Sequence, residues 1–402
     1  MKKAGFHFRT KSAKLRYAII ICFAFFAFIN MQAQPRQPQS RPPVIVSPDI
    51  SADNIVTFRL YAPEATSVSV AGDFMSSMAG QMMAKNDTGL WTLTTEPLKP
   101  EIYTYTFTVN GVRTIDPANP LTVRDGTRYL SVLFVPGPGS DLYAINNVRH
   151  GTLSKVWYDS PSLELYRRMY VYTPAGYENN TDKYPVFYLL HGGGGDEDAW
   201  TTMARACYIM DNLIASGKAK PMIVVMTNGN PEQTAAVTDW GSVKPQSGSE
   251  PMGMGSKAFP NSLVKDVIPY IESHYRVLAN RENRAIAGLS MGALQTQITS
   301  VNNPELFQYI GVFSIGLQME FGDRTTDLIK AYDSNLKKLE ENGYKLFYIG
   351  CGEEDFVYEG VKLLRQKLDE HHFKYTYREV PGGHTWTNWR IFLSEYAPQL
   401  FR

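Results

Sequence analysis

The sequence predicts an α/β fold with a mostly parallel central sheet, preceded by a small all-β sandwich. Two observations support this prediction. Between residues 44 and 137, short β-branched or aromatic runs alternate with turn-rich segments such as KNDTG and VNG, as in β-sandwiches. From about residue 145 onward, apolar strand patterns alternate with helical patterns, which is typical of a parallel sheet covered by helices on both faces.

The first 33 residues are predicted to be a secretion signal. Six basic residues precede the apolar run from Tyr17 to Ile29, and Ala33 is the expected last residue before cleavage. This run is shorter than the roughly 20 residues that a membrane-spanning helix needs. An uncleaved anchor helix is the alternative interpretation. Residues 34–43, rich in Pro and Gln, are predicted to be a flexible leader.

The strand and helix patterns give the order of the remaining elements. The sandwich is predicted over residues 44–137, a linker that begins within GPGSD over residues 138–147, and the α/β domain over residues 148–402. The predicted strands of the α/β domain are RRMYVYTP, YPVFYLL, PMIVVMT, NRAIAG, KLFYIGC and KYTYREV. Its predicted helices are MARACYIMDNLIASG, SLVKDVIPYIESHY, MGALQTQITSV and VKLLRQKLDEHH.

Composition and charge exclude several classes of partner. The chain has 402 residues, of which 44% are hydrophobic and 20% charged, as in globular proteins. Cleavage after residue 33 removes six basic residues and no acidic ones, so the formal net charge changes from +1 to −5. A mildly acidic exported protein is a poor match for nucleic acid or an anionic membrane. No CxxC, HExxH or calcium-loop motif occurs, so no metal and no cofactor are predicted. Cys207 and Cys351 are predicted to be free, buried thiols.

The segment AGLSMGA places Ser290 between Gly288 and Gly292, at the junction of a predicted strand and a predicted helix. Gly-x-Ser-x-Gly at such a junction is the nucleophile elbow of the α/β-hydrolase fold, whose sharp turn needs glycine on both sides of the serine. The turn projects the hydroxyl above the sheet and leaves the Met291 N–H free to donate to an oxyanion. Ser290 is therefore the predicted nucleophile, and a glycine-rich helix start is the alternative.

A serine nucleophile needs a base, and the chain order in this fold is serine, acid, histidine. His384 lies in the glycine-rich loop PGGHTW after a predicted strand, whereas His371 and His372 end a predicted helix and are expected at the surface. His384 is therefore the predicted base. The acid that orients it is expected in GEEDF, where Asp355 is preferred and Glu354 is the alternative.

The segment HGGGGDEDAW, from His191 to Trp200, follows the predicted buried strand YPVFYLL. Four consecutive glycines leave their backbone N–H groups unhindered, as in the HGGG-type loops that supply a second oxyanion donor. The predicted oxyanion hole consists of the N–H groups of Gly193 and Met291. His191 is interpreted as a structural hydrogen-bonding residue. A phosphate-binding loop is disfavoured, because the Lys-Ser/Thr of a P-loop and the GxGxxG spacing do not occur here.

From about residue 145 to residue 402, the chain resembles the esterase-D-type α/β-hydrolases. Within them it is most similar to carbohydrate esterase family one, the xylan-associated feruloyl esterases. The resemblance implies that Ser290, His384 and Asp355 form a catalytic triad with the oxyanion donors named above. Ala293 departs from the pattern, since many relatives have a further glycine after SMG, and this leaves the subfamily open. The stretches that carry the resemblance are LLHGGGGDEDAW, DNLIASGKAKPMIVVMTNGN, LVKDVIPYIESHYRV, NRAIAGLSMGA, CGEEDF and GGHTWTNW.

The N-terminal β region resembles the early-set, immunoglobulin-like domains that precede such esterases and glycogen-acting enzymes. The stretches RLYAPEATSVSVAGDF and GLWTLTTEPLKPEIYTYTFTVNG carry this likeness. Some of these domains bind carbohydrate through exposed aromatic side chains. Trp91 is interpreted as a core residue of the sandwich, with glycan binding as the alternative.

The resemblance implies an exported, periplasmic or extracellular serine esterase that acts on feruloylated or acetylated xylan oligosaccharides. Ferulate release from arabinoxylan is the first expectation, acetyl-xylan hydrolysis the second and cleavage of a siderophore ester the third. A non-catalytic carbohydrate-binding protein is the alternative from a different class. It is disfavoured because the nucleophile, base, acid and glycine loop are all present.

Five aromatic side chains lie in or near the loops predicted to surround the active site. Aromatic rings there suit a planar hydroxycinnamoyl group or a pyranose face, and we predict that they bind substrate. Core packing is the alternative for each of them. They are Trp200, Trp240, Tyr358, Trp386 and Trp389.

Overall fold

A computed structural model provides the structure of the chain. The predicted signal over residues 1–33 and the leader over residues 34–43 lie outside the described residues. Within the part of the chain that is described, no helix is both long and apolar enough to cross a bilayer. The described ranges are 44–75, 80–240, 257–317 and 335–402.

The chain divides into two compact units, Met1–Ile45 and Val46–Arg402. Residues 44 and 45 are the described part of the first unit. The second unit contains a β-sandwich and an α/β part, which therefore form one compact body. The predicted boundaries at residues 137 and 148 stay predictions.

The N-terminal part is a sandwich of two antiparallel sheets. Its strands are Asp49–Ile50 (β1), Val56–Tyr61 (β2), Val68–Gly72 (β3), Gln81–Met82 (β4), Ala84–Lys85 (β5), Leu90–Thr94 (β6), Glu101–Val109 (β7), Val112–Thr114 (β8), Thr122–Asp125 (β9) and Arg128–Val135 (β10). One sheet has the order β1-β2-β6-β5. The other has the order β4-β3-β7-β10-β9, with β8 paired to β7.

Alternation along the strands builds the sandwich core. In β2, Val56, Phe58 and Leu60 are buried, whereas the residues between them are partly exposed. Trp91 is also buried, and its indole N–H donates to the Ala62 carbonyl at 3.0 Å. The interpretation of Trp91 as a core residue is therefore confirmed.

The α/β part is built on one eight-stranded, mostly parallel sheet. Its strands are Thr152–Ser160 (β11), Leu165–Thr173 (β12), Val186–Leu190 (β13), Ile223–Thr227 (β14), Arg284–Leu289 (β15), Tyr309–Phe313 (β16), Leu346–Gly352 (β17) and Thr376–Val380 (β18). The order is β11-β12-β14-β13-β15-β16-β17-β18. All neighbours from β14 to β18 pair in parallel, and β12 and β11 join one edge as antiparallel strands. The predicted α/β-hydrolase fold is confirmed.

Helices cover both faces of this sheet. They are Ala199–Thr202 (α1), Ala206–Ala215 (α2), Val237–Trp240 (α3), Ala258–Ser262 (α4), Ile268–His274 (α5), Met291–Asn302 (α6), Tyr358–Glu370 (α7) and Trp386–Tyr396 (α8), with a π-helical segment, Leu263–Val267, between α4 and α5. In β13, Tyr188 faces the core beneath α4 to α7, whereas Phe187 faces the core beneath α2 and α8. A strand that is buried on both faces has a continuous apolar sequence, and this is why YPVFYLL predicts a buried strand.

Buried polar contacts join the sandwich to the α/β part. Arg390 of α8 is 1% exposed, and its Nε donates to Glu101 Oε1 of β7 at 3.1 Å. Its Nη2 donates to the Ile102 carbonyl at 2.6 Å, and its Nη1 to the Met203 carbonyl at 2.8 Å. The guanidinium thus bridges a sandwich strand, a helix of the α/β part and the loop before α2.

The segment predicted as a linker is packed against the α/β part. It contains a 3-10 turn, Asp141–Tyr143, whose Tyr143 side chain is buried. The Asn212 amide of α2 donates to the carbonyls of Leu142 and Ala144 at 2.8 and 3.0 Å. The predicted linker is therefore held against α2 by a buried side chain and hydrogen bonds.

The two cysteines of the described part are free thiols, as expected. Cys351 is buried in β17, as predicted, whereas Cys207 in α2 is only partly buried, so the prediction of a buried thiol is wrong for Cys207. Burial raises the pKa of each thiol to about 12. Both sulfurs are therefore protonated and unreactive near neutral pH.

Candidate active site

Ser290 lies on a sharp turn between the end of β15 and the start of α6. Its φ of 51° and ψ of −117° are strained for a residue with a side chain. Its N–H donates to the Phe313 carbonyl of β16 at 2.9 Å, and its carbonyl accepts from the Leu294 N–H at 3.0 Å. The turn is thus held by the neighbouring strand on one side and by the helix on the other.

The glycines beside the serine are required by close backbone approach. A Cβ at Gly292 would lie 2.4 Å from the His191 carbonyl oxygen, and a Cβ at Gly288 would lie 2.4 Å from the Gly292 carbonyl carbon. Neither distance is possible for a real side chain. The strand, the elbow and the His191 loop therefore fit together only with glycine at both positions.

His384 and Asp355 form a hydrogen-bonded pair above the sheet. The Nδ1 atom of His384 lies 2.9 Å from Asp355 Oδ1 and 3.0 Å from Oδ2. The Asp355 side chain is fully buried, and that of His384 is 18% exposed. Asp355 Oδ1 also accepts from the Val357 N–H at 3.1 Å. The alternative acid, Glu354, is exposed, so Asp355 is the carboxylate that contacts the imidazole.

Adjacent strand ends bring this pair together. The loop with Asp355 follows β17, and the loop with His384 follows the neighbouring strand β18. The Glu353 N–H donates to the Val380 carbonyl at 2.9 Å, and the Glu354 N–H to the Gly382 carbonyl at 3.0 Å. Backbone hydrogen bonds therefore join the two loops, in addition to the contact between the Asp355 and His384 side chains.

Two aromatic rings flank the imidazole. The Phe356 ring centroid is 4.5 Å from that of His384, and the Phe356 side chain is 71% exposed. On the other side, the Trp389 ring meets the imidazole edge-to-face at 4.9 Å. Phe356 was not among the predicted site residues, although it directly follows Asp355 in CGEEDF. It gives the site an exposed apolar surface next to the base.

The glycine loop after β13 lies against the elbow. A Cβ at Gly192 would lie 3.3 Å from Ser290 Cβ, and the Gly195 N–H donates to the Gly192 carbonyl at 3.2 Å. Gly193, inside this turn, is exposed, and Met291 is the first residue of α6. Both predicted oxyanion donors thus come from segments adjoining Ser290, and their role stays a prediction.

A buried carboxylate anchors the end of this loop to the α/β part. Glu197 Oε1 accepts from Arg168 Nε of β12 at 2.7 Å and from the Ala236 N–H at 2.9 Å. Glu197 Oε2 accepts from the Asn228 amide at 3.0 Å.

Among the residues that the structure describes, no three His, Cys, Asp or Glu side chains gather as metal ligands would.

His191 has the structural role that was interpreted from the sequence. It is 1% exposed, its Nδ1 lies 2.7 Å from the Gly192 carbonyl, and its Nε2 accepts from the Gly229 N–H at 2.8 Å. These partners require a neutral ring with the proton on Nδ1. Burial lowers the pKa of His191 below its usual value. The ring holds the glycine loop against the loop after β14.

Protonation of His191 is expected to destabilise the protein in acid. The pKa of His191 is near 6.5 in the unfolded chain and lower in the folded protein. As the pH falls, the unfolded chain therefore binds the proton first. The stability is complete above pH 6.5 and falls as the pH decreases toward the folded pKa, by up to about 1.4 kcal/mol per pH unit.

Urea denaturation of the native chain and of His191→Gln at several pH values between 5 and 8 measures this effect. We expect a shallower loss of stability in the variant below pH 6.5, because it lacks the titrating ring. Parallel pH profiles for the two proteins would contradict the assignment.

The structure corrects two of the predicted substrate contacts. Trp200 is 1% exposed, and its indole N–H donates to the Leu190 carbonyl at 2.9 Å. Trp389 is 6% exposed, and its indole N–H donates to the Ser314 hydroxyl at 3.0 Å. Both rings belong to the core beneath α2 and α8. Neither ring has enough exposed surface to contact a substrate. Trp200 packs in the core, and Trp389 packs in the core and against the His384 imidazole.

The other predicted aromatic residues have different surroundings. Trp386 is partly exposed and meets Trp389 edge-to-face at 5.1 Å, so it lies one ring away from the imidazole. Tyr358 lies in the first turn of α7, and its hydroxyl donates to Glu379 Oε2 of β18 at 2.7 Å. Trp240 ends α3, and its side chain lies outside the described residues. A substrate role for these three stays a prediction.

Models of two known families match the two parts of the chain. The model of the Esterase family, described as "Putative esterase", matches residues 160–400. The model of carbohydrate-binding module 48, the isoamylase N-terminal domain, matches residues 45–120. The first match covers strands β12 to β18 and the helices between and after them, but only the last residue of β11.

Among curated proteins, the chain is 31% identical over 362 residues to an endo-1,4-beta-xylanase/feruloyl esterase of Xylanibacter ruminicola. It is 26% identical over 257 residues to endo-1,4-beta-xylanase Y of Acetivibrio thermocellus. These matches cover 88% and 58% of this chain. They span only 46% and 21% of the two relatives' own lengths.

Solved structures show the same fold. A ferulic acid esterase from Anaeromyces mucronatus, in complex with ferulic acid, has a TM-score of 0.54 at 27% identity, covering 65% of this chain and 95% of that one. An enterobactin esterase from Shigella flexneri, in the presence of enterobactin, has a TM-score of 0.61 at 18% identity, covering 86% and 92%. The second likeness concerns the fold alone.

Proposed function

Because the chain belongs to the Esterase family, we propose that it is a serine carboxylic-ester hydrolase that releases ferulate from feruloylated xylan. The observation that carries this proposal is the Asp355–His384 pair, which follows strands β17 and β18 of the same sheet whose strand β15 leads into the strained Ser290 elbow. A strained turn of this kind persists only where the surrounding structure imposes it, and such turns cluster at functional sites. The glycine loop next to the elbow supplies backbone donors of the type that ester hydrolysis needs.

The proposed mechanism is two-step acyl transfer. His384 Nε2 takes the proton of the Ser290 hydroxyl while the oxygen attacks the ester carbonyl, and Asp355 holds the Nδ1–H tautomer. The N–H groups of Gly193 and Met291 stabilise the oxyanion, typically by about 3 kcal/mol for each donor. The sugar hydroxyl leaves with the proton from His384. Water then attacks the acyl-serine with the same base, which frees the acid and restores Ser290.

The exposed ring beside the base supports an aromatic acyl group. Phe356 offers an apolar face next to His384, and Trp386 is a second, partly exposed ring that contacts Trp389. A planar hydroxycinnamoyl ring stacks on such faces, whereas an acetyl group has no ring to place there. The resemblance to a xylanase/feruloyl esterase and to a ferulic acid esterase supports this choice.

The proposal also includes the location of the enzyme and the ligand of the sandwich. We place the enzyme in the periplasm or outside the cell, because residues 1–33 have the pattern of a secretion signal. The match of residues 45–120 to a carbohydrate-binding module supports a role of the sandwich in holding xylan. The polysaccharide is insoluble or large, so binding by a second part of the chain would keep the esterase near its substrate.

Paired hydrolysis assays test the proposed function. The purified chain and its Ser290→Ala variant are incubated with methyl ferulate, feruloylated arabinoxylan oligosaccharide, acetylated xylan and a catecholate siderophore ester. Ferulate release that disappears in Ser290→Ala is the expected result. Acetate release alone would assign an acetyl-xylan esterase, and catecholate release alone a siderophore esterase. Silence on all substrates, without labelling of Ser290 by a fluorophosphonate, would indicate a carbohydrate-binding protein without activity.

Replacing Phe356 with alanine is expected to raise KM for methyl ferulate about 3- to 10-fold, the size of one aromatic contact, while kcat changes less than twofold. KM for a matching acetyl ester should not change, because that substrate has no ring. Steady-state kinetics on the two esters measure both parameters.

The matched control is Tyr166→Ala, which removes another exposed aromatic ring, from β12 near the opposite edge of the sheet. It should leave both substrates unaffected. An equal rise in KM for the ferulate and the acetyl ester in Phe356→Ala would show that the ring does not recognise the acyl group.

A further inference from the structure

We propose that Arg124, a side chain of the N-terminal sandwich, is a positioning residue that fixes the oxyanion loop of the esterase site. The sandwich then contributes to the catalytic rate as well as to any binding of polysaccharide. The inference rests on the proposed function, because the loop is catalytic only if Gly193 donates to the oxyanion.

The first observation is a buried, forked ion pair between the two parts of the chain. Arg124 of β9 is 7% exposed, and Asp196 of the glycine loop is 3% exposed. Arg124 Nη1 donates to Asp196 Oδ2 at 2.6 Å, and Nη2 donates to Oδ1 at 2.8 Å. Nη2 also donates to Asp198 Oδ2 at 2.9 Å. Bidentate pairing of this kind fixes orientation as well as distance.

The second observation is that the turn after Arg124 touches the glycine loop directly. Gly126 has a φ of +60°, and a Cβ there would lie 2.3 Å from the Gly194 carbonyl oxygen. Arg124 Nη1 also donates to the Gly126 carbonyl at 2.6 Å, which holds the turn in place. The β9–β10 turn therefore abuts the residue that follows the proposed oxyanion donor.

The third observation is that the loop has few other means of fixing its position. Residues 192–195 are all glycine, and glycine has the largest backbone freedom of any residue. His191 anchors the loop before the glycines. Asp196 is the first side chain after them, and its carboxylate also accepts from the Asp198 N–H at 3.0 Å. Holding Asp196 therefore fixes the second end of the four-glycine run.

These contacts define how the sandwich acts on the reaction. An oxyanion donor stabilises the transition state only if it is already in position, so a small displacement of Gly193 lowers kcat more than it weakens substrate binding. Glu197 secures the loop to the α/β part, but it lies beyond Asp196 along the chain. The loop keeps its fold without Arg124, yet its glycine run loses a rigid end.

The test is Arg124→Lys in the full chain, which keeps the charge and most of the stem but loses the fork. We expect kcat for methyl ferulate to fall about 10- to 100-fold, below the 10²- to 10³-fold cost of losing a donor, with KM within threefold of native. Asp198→Asn, which removes a single, partly exposed partner, should give a smaller fall and serves if Arg124→Lys does not fold.

A second readout isolates the oxyanion. An aryl trifluoromethyl ketone accepts the Ser290 oxygen at its carbonyl carbon, the hydroxyl proton passes to His384, and the former carbonyl oxygen becomes the anion. Its affinity should fall in parallel with kcat in Arg124→Lys, whereas the affinity for ferulate, the product, should stay within twofold of native.

The matched control is Glu101→Gln, which alters the other buried ion pair between the sandwich and the α/β part without contact to the glycine loop. It is expected to lower the melting temperature but not kcat. Native-like kcat and inhibitor affinity in a folded Arg124→Lys, or equal losses in Glu101→Gln, would overturn the proposal. An inactive native chain would instead remove the proposed function itself.

Discussion

Replacing His384 with alanine is expected to lower kcat for ester hydrolysis by about 10⁶-fold, and Ser290→Ala by a similar factor. The two residues act as one unit, since the hydroxyl is a poor nucleophile without the base and the base has no proton to take without the hydroxyl. The double variant should therefore be no slower than either single variant. Ferulate release over hours at high enzyme concentration measures the residual rates.

The control for this prediction is His372→Gln, which changes an exposed histidine after α7. Its kcat should equal that of the native chain. The circular dichroism spectra of all variants should coincide, because Ser290 and His384 contribute little to the core. Additive losses in the double variant, or substantial activity in His384→Ala, would contradict the assignment of the base.

Replacing Asp355 with asparagine is expected to lower kcat by about 10⁴-fold with little change in KM. If the asparagine oxygen keeps the bond from the Val357 N–H at the Oδ1 position, the NH₂ group replaces Oδ2, which lies 3.0 Å from His384 Nδ1. An NH₂ group there favours the ring that accepts at Nδ1 and carries its proton on Nε2, and the negative charge that stabilises the imidazolium is lost. A protonated Nε2 cannot take the proton of Ser290, so the loss comes from the tautomer and not from a displaced ring.

Glu354→Gln is the matched control, because it neutralises the adjacent, exposed carboxylate that competes for the same role in the sequence. It should retain activity within about twofold, as surface substitutions generally do. Ester hydrolysis by both variants, measured beside the native chain, separates the two acids. A large loss in Glu354→Gln with an active Asp355→Asn would reverse the assignment.

The fold was predictable because its central strands are buried on both faces. PMIVVMT and KLFYIGC are nearly continuous apolar runs, and each is followed by a helix with an apolar stripe. The elements that were not predicted include β16, β11 and α8. The five-residue strand β16 is too short to show a period, β11 alternates in a long edge strand, and α8 begins inside the motif GGHTW, where glycine and threonine obscure the helix start.

The candidate site was predictable where local sequence dictates geometry. Gly288 and Gly292 mark the elbow because no other residue fits, and strand order brings the His384 loop beside that of Asp355. The aromatic contacts were less predictable. Trp200 and Trp386 both lie in segments predicted to surround the site, yet the first is buried and the second is partly exposed. Sequence position does not encode that direction without the packing around it.

Arg124 illustrates what a sequence pattern cannot contain. Its partner Asp196 lies 72 residues away in the other part of the chain. Nothing in the strand TVRD distinguishes this arginine from a solvated one. Its burial arises only when the sandwich and the glycine loop are brought together.

The Arg390 bridge has a consequence for how the molecule melts. Detaching the sandwich from the α/β part would break the hydrogen bonds from Arg390 to Glu101 and Ile102 and would expose Ile102 and Val132, which belong to the core beneath α2 and α8. Neither half can then disorder independently at low thermal cost. A calorimeter should record one cooperative endotherm for the whole body from Val46 to Arg402, and excising the sandwich should produce a fragment with less thermal stability than the intact chain.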